Sequence, residues 1–386
     1  MQSILMVATI PETLTAFMLP FVKHFRDAGW QVDGMANGIS DYAECRQEFD
    51  RIWDIKWSRN PLEPKNFSVA VPKIKEIMEQ GNYDIVHVHT PVAAFVTRYA
   101  LKSYRAKNNL QVFYTAHGFH FHPQGNPLKN LVFLALEKIA GQWTDCLITI
   151  NQEDRVAAKK YQLLPEKNIH FTPGIGLDIS HYNSDRVSEE DIDLIKKELQ
   201  LGSKDVLLLC IAEFIRRKRH TDLINALKLL NRDDIHFAFA GVGKMREELE
   251  ELVKSLNLQK QVHFLGFRRD IPQLISASDG VMLTSQQEGL PRSVMEALAM
   301  GIPVIGSKIR GIKDLLEDDC GLLVEVGDVA GLAKAIAWIA DHPEQSVQMG
   351  QNGQRKIATY DVRNVIKTYS DLYDQALTSS LVYSYG

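Results

Sequence analysis

Two glutamates stand eight positions apart in "EGLPRSVMEALAMGIPVIGS", with Gly289, Leu290 and Pro291 directly after the first. The upstream run "GVMLTS" has the composition of a buried strand, and "SQQEGL" leaves its carboxyl end. Pro291 suits the first turn of a helix, because it has no N–H to leave unpaired. A short helix over Arg292–Met300 follows, Gly301 ends it, and "IPVIGS" is the next strand. Strand, loop and helix N-terminus in this order present free N–H groups that suit an anion such as phosphate. Gly289 lets a ligand approach the backbone closely. Glu288 before the helix and Glu296 more than a turn inside it could then accept hydrogen bonds from hydroxyls on either side of the anion. A sugar nucleotide has that order: sugar hydroxyls, diphosphate, ribose hydroxyls. An isolated pair of glutamates at this spacing is ordinarily a first-turn and a solvated mid-helix residue, so the surrounding chain has to decide.

The elements that would carry such a site recur along the chain. "ILMVAT", "VDGMA", "DIVHVH", "VFYTAH", "CLITI" and "IHFTPG" read as strands. Amphipathic helical stretches lie between them, at Leu14–Gly29, Val92–Lys107 and Asn130–Gln142. After a polar, charged connector over Asp178–Gly202 the alternation restarts with "DVLLLCIAEF", "IHFAFAG", "VHFLGF", "GVMLTS", "PVIGS" and "GLLVEV". Strands alternating with helices predict parallel sheets covered on both faces. The expected fold class is therefore α/β, with two Rossmann-like doubly wound domains facing each other across a cleft. Ligands of such sheets bind outside the carboxyl ends of the strands. A last helix is expected from about Val362 to Leu377, and it can cross back to the first domain. The expected domains are 1–177, joined by a C-terminal helix over 362–386, and 178–361.

Bulk properties narrow the function classes. A chain of 386 residues is long for one core. A net charge of −4 argues against a dedicated nucleic-acid partner. Four scattered cysteines without a C-x-x-C fit reduced, cytosolic thiols. The N-terminus lacks a basic leader and reads as a first strand. No apolar run reaches the ~18 residues of a membrane span. Asp191-Ile192-Asp193 has the letters of a metal-binding D-x-D but lies in the polar connector, so it reads as a solvated helix face. "HGFHFH" gathers His117, His120 and His122, a cluster that could hold zinc, though no Cys, Asp or Glu joins it at ligand spacing. His87 and His89 share one strand face, as core or site-wall residues. In "RYALKSYRAK", Arg98, Lys102, Arg105 and Lys107 with Tyr99 and Tyr104 make a basic, aromatic helix that can lie on an anionic bilayer or simply face solvent.

The opening stretch resembles the signature of the retaining family 4 glycosyltransferases of the GT-B fold, E-G-x-P-x-x-x-x-E-A-x-A-x-G-x-P-V. "SRNPLEPKN", "HVHTPVAA", "TAHGFHFHPQGNPLKN", "TDCLITINQED" and "TPGIGLD" extend the resemblance over nearly the whole chain. They are similar to the branch that builds capsular and extracellular polysaccharides. The resemblance implies a first domain that binds an acceptor and a second that binds a nucleotide sugar. It implies that Glu288, His117 and Lys218 are catalytic: Glu288 on the donor sugar, His117 near the sugar and the acceptor hydroxyl, Lys218 on the diphosphate. Gly289, Leu290 and Pro291 would face the donor, Glu296 would hold the ribose, and Gly266, Phe267 and Arg268 would wrap the base. Glu213 stands where the family has an arginine, so either Arg216, Arg217 or Arg219 would supply the second positive charge, or Lys218 would carry most of it. Arg59 and His89 would lie on the acceptor side. A uridine diphosphate sugar is the implied donor, and a polyprenyl-diphosphate-linked glycan the implied acceptor. No cofactor and no divalent metal is implied. The enzyme would be cytoplasmic, with peripheral contact to the inner face of the membrane. A sugar-nucleotide epimerase of similar architecture and a non-catalytic sugar-nucleotide-binding protein remain open, and no motif bears on oligomeric state.

Overall fold

A computed structural model describes residues 1–58, 60, 63–123 and 125–384. Arg59, expected on the acceptor side, lies outside the described residues. The chain forms two compact units. The first comprises Met1–Gly176 and Val362–Gly386, the second Leu177–Asp361.

The first unit holds a parallel sheet of seven strands: β1 (Ser3–Val7), β2 (Gln31–Ala36), β3 (Arg51–Asp54), β4 (Ile85–His89), β5 (Gln111–Ala116), β6 (Cys146–Thr149) and β7 (Ile169–Phe171). Their order is β3-β2-β1-β4-β5-β6-β7. The second holds six: β8 (Val206–Ile211), β9 (Ile235–Ala240), β10 (Val262–Gly266), β11 (Gly280–Leu283), β12 (Val304–Ser307) and β13 (Gly321–Val324). Their order is β10-β9-β8-β11-β12-β13, and every pairing in both sheets is parallel. The central strands are buried along their whole length, as in "SILMV" and "IHFAFA". Sheets covered on both faces need such continuous apolar runs. β3 has no counterpart among the expected strands. Its four residues "RIWD" have exposed ends and a half-buried middle, which is an edge strand's pattern.

Expected helix 14–29 is two helices, α1 (Pro11–Phe17) and α2 (Leu19–Asp27), and Pro20 lies in the first turn of the second. Expected helix 92–107 stops at Leu101 as α3 (Pro91–Leu101), followed by a short turn over Arg105–Asn108. α4 (Pro127–Gly141) is capped by the Asn126 side chain, which accepts from the amides of Leu128 and Lys129.

The stretch expected as a polar connector is a folded part of the second unit. Ser188 and Asp191 form a capping box at the start of α5 (Glu189–Glu198), and Ile195 and Leu199 are buried in that unit's core. Asp191 of the D-x-D sequence is thus a capping residue, while Asp193 is exposed.

The last helix, α7 (Val362–Ser384), belongs to the first unit's core. Val365, Ile366, Tyr369 and Tyr373 pack among Phe21, Phe25 and Phe113. Tyr369 meets Phe21 at 4.9 Å and Tyr373 meets Phe25 at 5.1 Å, ring centre to ring centre. At Gly176, φ is +82° and a Cβ would lie 2.5 Å from the Cα of Val362, so only glycine fits where the chain leaves this unit beside its re-entry.

Candidate functional site

In the second unit the strand order reverses between β8 and β11. Loops leaving the carboxyl ends of these two neighbours flank the crevice where doubly wound sheets bind ligands. The loop after β8 makes a tight turn over Arg216–Lys218, with Arg219 in the left-handed region at φ +53°. The loop after β11 is fastened to that turn. The Thr284 hydroxyl donates to the carbonyls of Lys218 and Arg219 at 3.2 and 3.3 Å, and the Gln286 amide donates to the Arg217 carbonyl at 2.9 Å.

This zipper brings Lys218 Nζ to 2.6 Å from Glu288 Oε1, with both side chains largely buried. Arg217 donates to the Gln287 carbonyl and its Nη1 lies 3.8 Å from Glu288 Oε1. Arg216 is exposed. Arg219 forks onto Asp222 at 2.5 and 3.0 Å. Of the cations expected to answer for Glu213, Arg217 is therefore the one gathered with Lys218 at Glu288. Glu213 itself is exposed at the end of β8.

The neighbouring helix α6 (Arg292–Ala299) starts at the expected residue and ends one residue earlier than expected. Pro291 is its N-cap, buried and extended at ψ 123°, rather than a first-turn residue, and its carbonyl accepts from Met295. A proline φ near −65° serves either position. Among the described residues no side chain caps this helix, and first-turn N–H groups have no partner within a helix. Gly301 ends the helix at φ +74°. Glu296 is buried and bonded to Arg292 at 2.8 Å. Tyr182 faces it, and burial together with the Glu296 carboxylate holds that phenol's pKa well above its ordinary value.

Two further residues hold the Glu288 loop, and neither was among those expected. Arg310, buried after β12, donates from Nε to the Glu288 carbonyl at 3.3 Å. A Cβ on Gly311 would lie 2.0 Å from the Gly289 carbonyl oxygen, and its φ is +77°. Both follow a strand's carboxyl end in "SKIRGIKD", and that position is the signal that could have found them.

The expected base-wrapping segment lies after the edge strand β10. Gly266 is at φ +68° and Phe267 is 72% exposed. Arg268 grips Asp270 and Glu198 at 2.5 and 2.6 Å. Asp270 sits at an N-cap position but makes no capping bond, and Arg268 takes its carboxylate. The glycines of "GVGK" have a packing reason: a Cβ at Gly241 would meet the Ala212 carbonyl at 2.0 Å, and one at Gly243 the Phe214 carbonyl at 2.5 Å.

In the first unit the order reverses between β1 and β4. Thr9 and Thr90 join the two strand ends, their hydroxyls 2.8 Å apart, with Thr90 at φ +62°. A β-branched residue in that region is strained. His89 Nδ1 lies 3.1 Å from His117 Nε2, and His87 stacks on His89 at 4.3 Å. His87 bonds Tyr373 OH and Thr115 Oγ1, so the last helix reaches the base of this cluster. Burial lowers the pKa of His117 to about 4, and burial with the neighbouring His117 lowers that of His87 to about 3. These imidazoles are neutral near pH 7 and can exchange hydrogen bonds with a hydroxyl without carrying charge. His120 turns away against the Phe133 ring at 5.1 Å. Among the described residues no group of three or more His, Cys, Asp or Glu is placed to hold a metal ion.

The basic residues over Arg98–Lys107 divide: Lys102 and Lys107 are exposed, whereas Arg98 and Arg105 are engaged within the first unit. Arg98 is 1% exposed, bonded to Glu137 at 3.0 Å and stacked 4.0 Å over the Tyr114 ring. Arg105 bonds the Gln142 carbonyl and Asp145. The four cysteines are buried and unpaired.

Comparison with known proteins places these features in a wider group. A family model described as "Glycosyltransferase Family 4" matches residues 16–175, and one described as "Glycosyl transferases group 1" matches residues 191–356. EpsD of Bacillus subtilis is 33% identical over 376 residues, covering 96% of each chain. The UDP-Gal:alpha-D-GlcNAc-diphosphoundecaprenol alpha-1,3-galactosyltransferase of Escherichia coli is 27% identical over 305 residues, 77% of each chain. Among solved structures, HepE of Anabaena in complex with UDP-glucose has the same fold, with a TM-score of 0.77 at 22% identity over 98% of this chain and 100% of that one.

Proposed function

The chain belongs to the retaining family 4 glycosyltransferases, and on that premise we propose that it moves a sugar from a uridine diphosphate donor to a polyprenyl-diphosphate-linked glycan. The observation that carries this reading is the Lys218–Glu288 pair at the second unit's switch point. It sets a cation for a diphosphate beside a carboxylate for sugar hydroxyls. An ammonium has three N–H bonds. With one on Glu288, two remain for phosphate oxygens. Arg217 adds the second charge that the diphosphate requires, and the α6 N-terminus adds backbone N–H groups. Glu296, steadied by Arg292, accepts from the ribose. Gly289, Leu290 and Pro291 line the donor, and Gly266, Phe267 and Arg268 border the base.

The acceptor belongs to the first unit, with His89 supporting His117 and His117 offering a neutral imidazole to the reacting hydroxyl. Configuration is retained by front-face attack. The acceptor oxygen bonds the anomeric carbon on the side from which the diphosphate leaves. The C–O bond to the diphosphate breaks, and the hydroxyl proton passes to a phosphate oxygen. Lys218 and Arg217 stabilise the charge that develops there. The Escherichia coli relative's name joins a UDP-sugar to a diphosphoundecaprenol acceptor, and HepE was solved with UDP-glucose. Those properties support the same classes of donor and acceptor here, and the family resemblance implies a reaction at the cytoplasmic face of the membrane without a divalent metal.

The test incubates the enzyme with a panel of nucleotide sugars and a polyprenyl-diphosphate-linked sugar, with and without a chelator. A glycosylated lipid with the donor's anomeric configuration is expected. Conversion of the donor alone, with no acceptor product, would replace this reading with an epimerase.

A further inference from the structure

The outward face of α4 is apolar where a solvated helix would be polar. Leu128, Leu131, Val132 and Ile139 are 72%, 64%, 52% and 46% exposed, and Ala135 between them is exposed too. Their spacing places all five on one stripe. Exposed Lys129 and Lys138 fall on opposite borders of it. The helix's single acid, Glu137, lies on the opposite side, bonded to Arg98 and Tyr114. Phe133 and Leu134 pack inward on the first unit's core. Next to α4, α3 leads into Lys102, whose ammonium sits 4.2 Å over the Tyr99 ring and 6.0 Å from that of Trp143. At the far end of the stripe, Lys138 and Gln142 border an open cavity of about 600 Å³ with Lys159, which is paired to Glu166.

We infer that this face of α4 docks on a bilayer that carries anionic lipid headgroups. The apolar stripe enters the boundary of the acyl chains, and the bordering lysines meet the headgroups. Rings beside a lysine suit the same boundary, since one end is apolar and the other wet. A second copy of the chain fits the face less well. A stable pairing takes about 800 Å² per partner, more than four large side chains of one helix present. Face-to-face copies would also set lysine against lysine, with no acid on the stripe to answer them. The surface would bring the enzyme to the lipid-linked acceptor proposed above, but vesicle binding needs neither donor nor acceptor. Failure here and failure of the proposed reaction are therefore separate results.

The test floats the full chain with vesicles of phosphatidylcholine alone or mixed with phosphatidylglycerol. The variant Leu128→Ser/Leu131→Ser/Val132→Ser/Ile139→Ser alters only exposed side chains and should keep the wild-type melting point. Wild type should float with the anionic vesicles about ten-fold more than this variant, and Lys129→Glu/Lys138→Glu should bring it to the phosphatidylcholine level. In Leu131→Trp the added indole emission should move to shorter wavelength on anionic vesicles. The inference is overturned by equal flotation of wild type and the four-serine variant, by no flotation of the wild type, or by a wild-type dimer in lipid-free solution that the variant breaks.

Discussion

Lys218 and Glu288 are 70 residues apart in the chain and 2.6 Å apart in space, because β8 and β11 are neighbours in the sheet. The pair is knit by backbone and hydroxyl bonds between the two loops rather than by its own attraction alone. Its geometry is therefore set before a donor arrives, which is what a phosphate and hydroxyl clamp requires.

Arg217 and Arg219 are adjacent in sequence but should differ in function. Arg217→Ala removes a cation beside Glu288 and should weaken UDP binding by about ten-fold, the cost of one charge-assisted bond. Arg219→Ala removes a fork onto Asp222 and should lower the melting temperature while leaving UDP affinity within about two-fold. Isothermal titration with UDP distinguishes them, and the reverse ranking would transfer the second charge away from Arg217.

Gly311→Ala adds a methyl 2.0 Å from the Gly289 carbonyl at a backbone angle of φ +77°. The Glu288–Gly289 turn must move to admit it. The expected result is a drop in kcat/KM of about ten-fold or more, with a stability loss of about 1–3 kcal/mol. Wild-type kcat/KM in this variant would mean that the turn's position does not matter to catalysis.

The buried histidines predict a pH dependence with a definite sign. His87, His117 and His220 have pKa values lowered by burial to about 3, 4 and 4, and His89 is lowered in the same way. The unfolded chain takes up protons at these residues near pH 6.5, whereas the folded chain does not. Stability is therefore complete above about pH 6.5 and is lost as the pH falls from there toward 4. His117 alone would contribute roughly 3 kcal/mol across that window. Melting temperatures measured from pH 8 to 5 should be level at first and then fall. A curve that stays level to pH 5 refutes the neutral cluster.

Tyr369→Ala should destabilise the first unit by about 3–5 kcal/mol, because it removes a buried ring from a contact with Phe21 and a hydroxyl bond to Thr115. Denaturant unfolding measures it. A loss below about 1 kcal/mol would mean that α7 is dispensable to that core.

Much of this was legible in the amino-acid order, for physical reasons. Strands buried on both faces are continuous apolar runs, so the two parallel sheets could be read. The four-residue edge strand β3 buries too little to leave that signal. Pro291 marked a helix start because its ring fixes φ locally. Charge was read less well, since a cation's partner is a matter of tertiary structure. Arg98 has the look of a solvated helix residue until Glu137, 39 residues away, is beside it. The same holds for Arg310 and for the choice of Arg217 over Arg219. Asp178–Gly202 looked like a connector because its buried residues are few, yet Ile195 and Leu199 suffice to seat it.

Turnover by Glu288→Gln, Lys218→Ala and the double variant tests the Lys218–Glu288 pair most directly. UDP release is followed with donor and lipid-linked acceptor present, and melting points are taken on the same samples. Each single change should lower kcat by about a hundred-fold or more in a folded protein, and the double variant should be hardly worse than either, as for residues that act as a unit. Either single variant turning over at the wild-type rate would contradict a catalytic role for the pair.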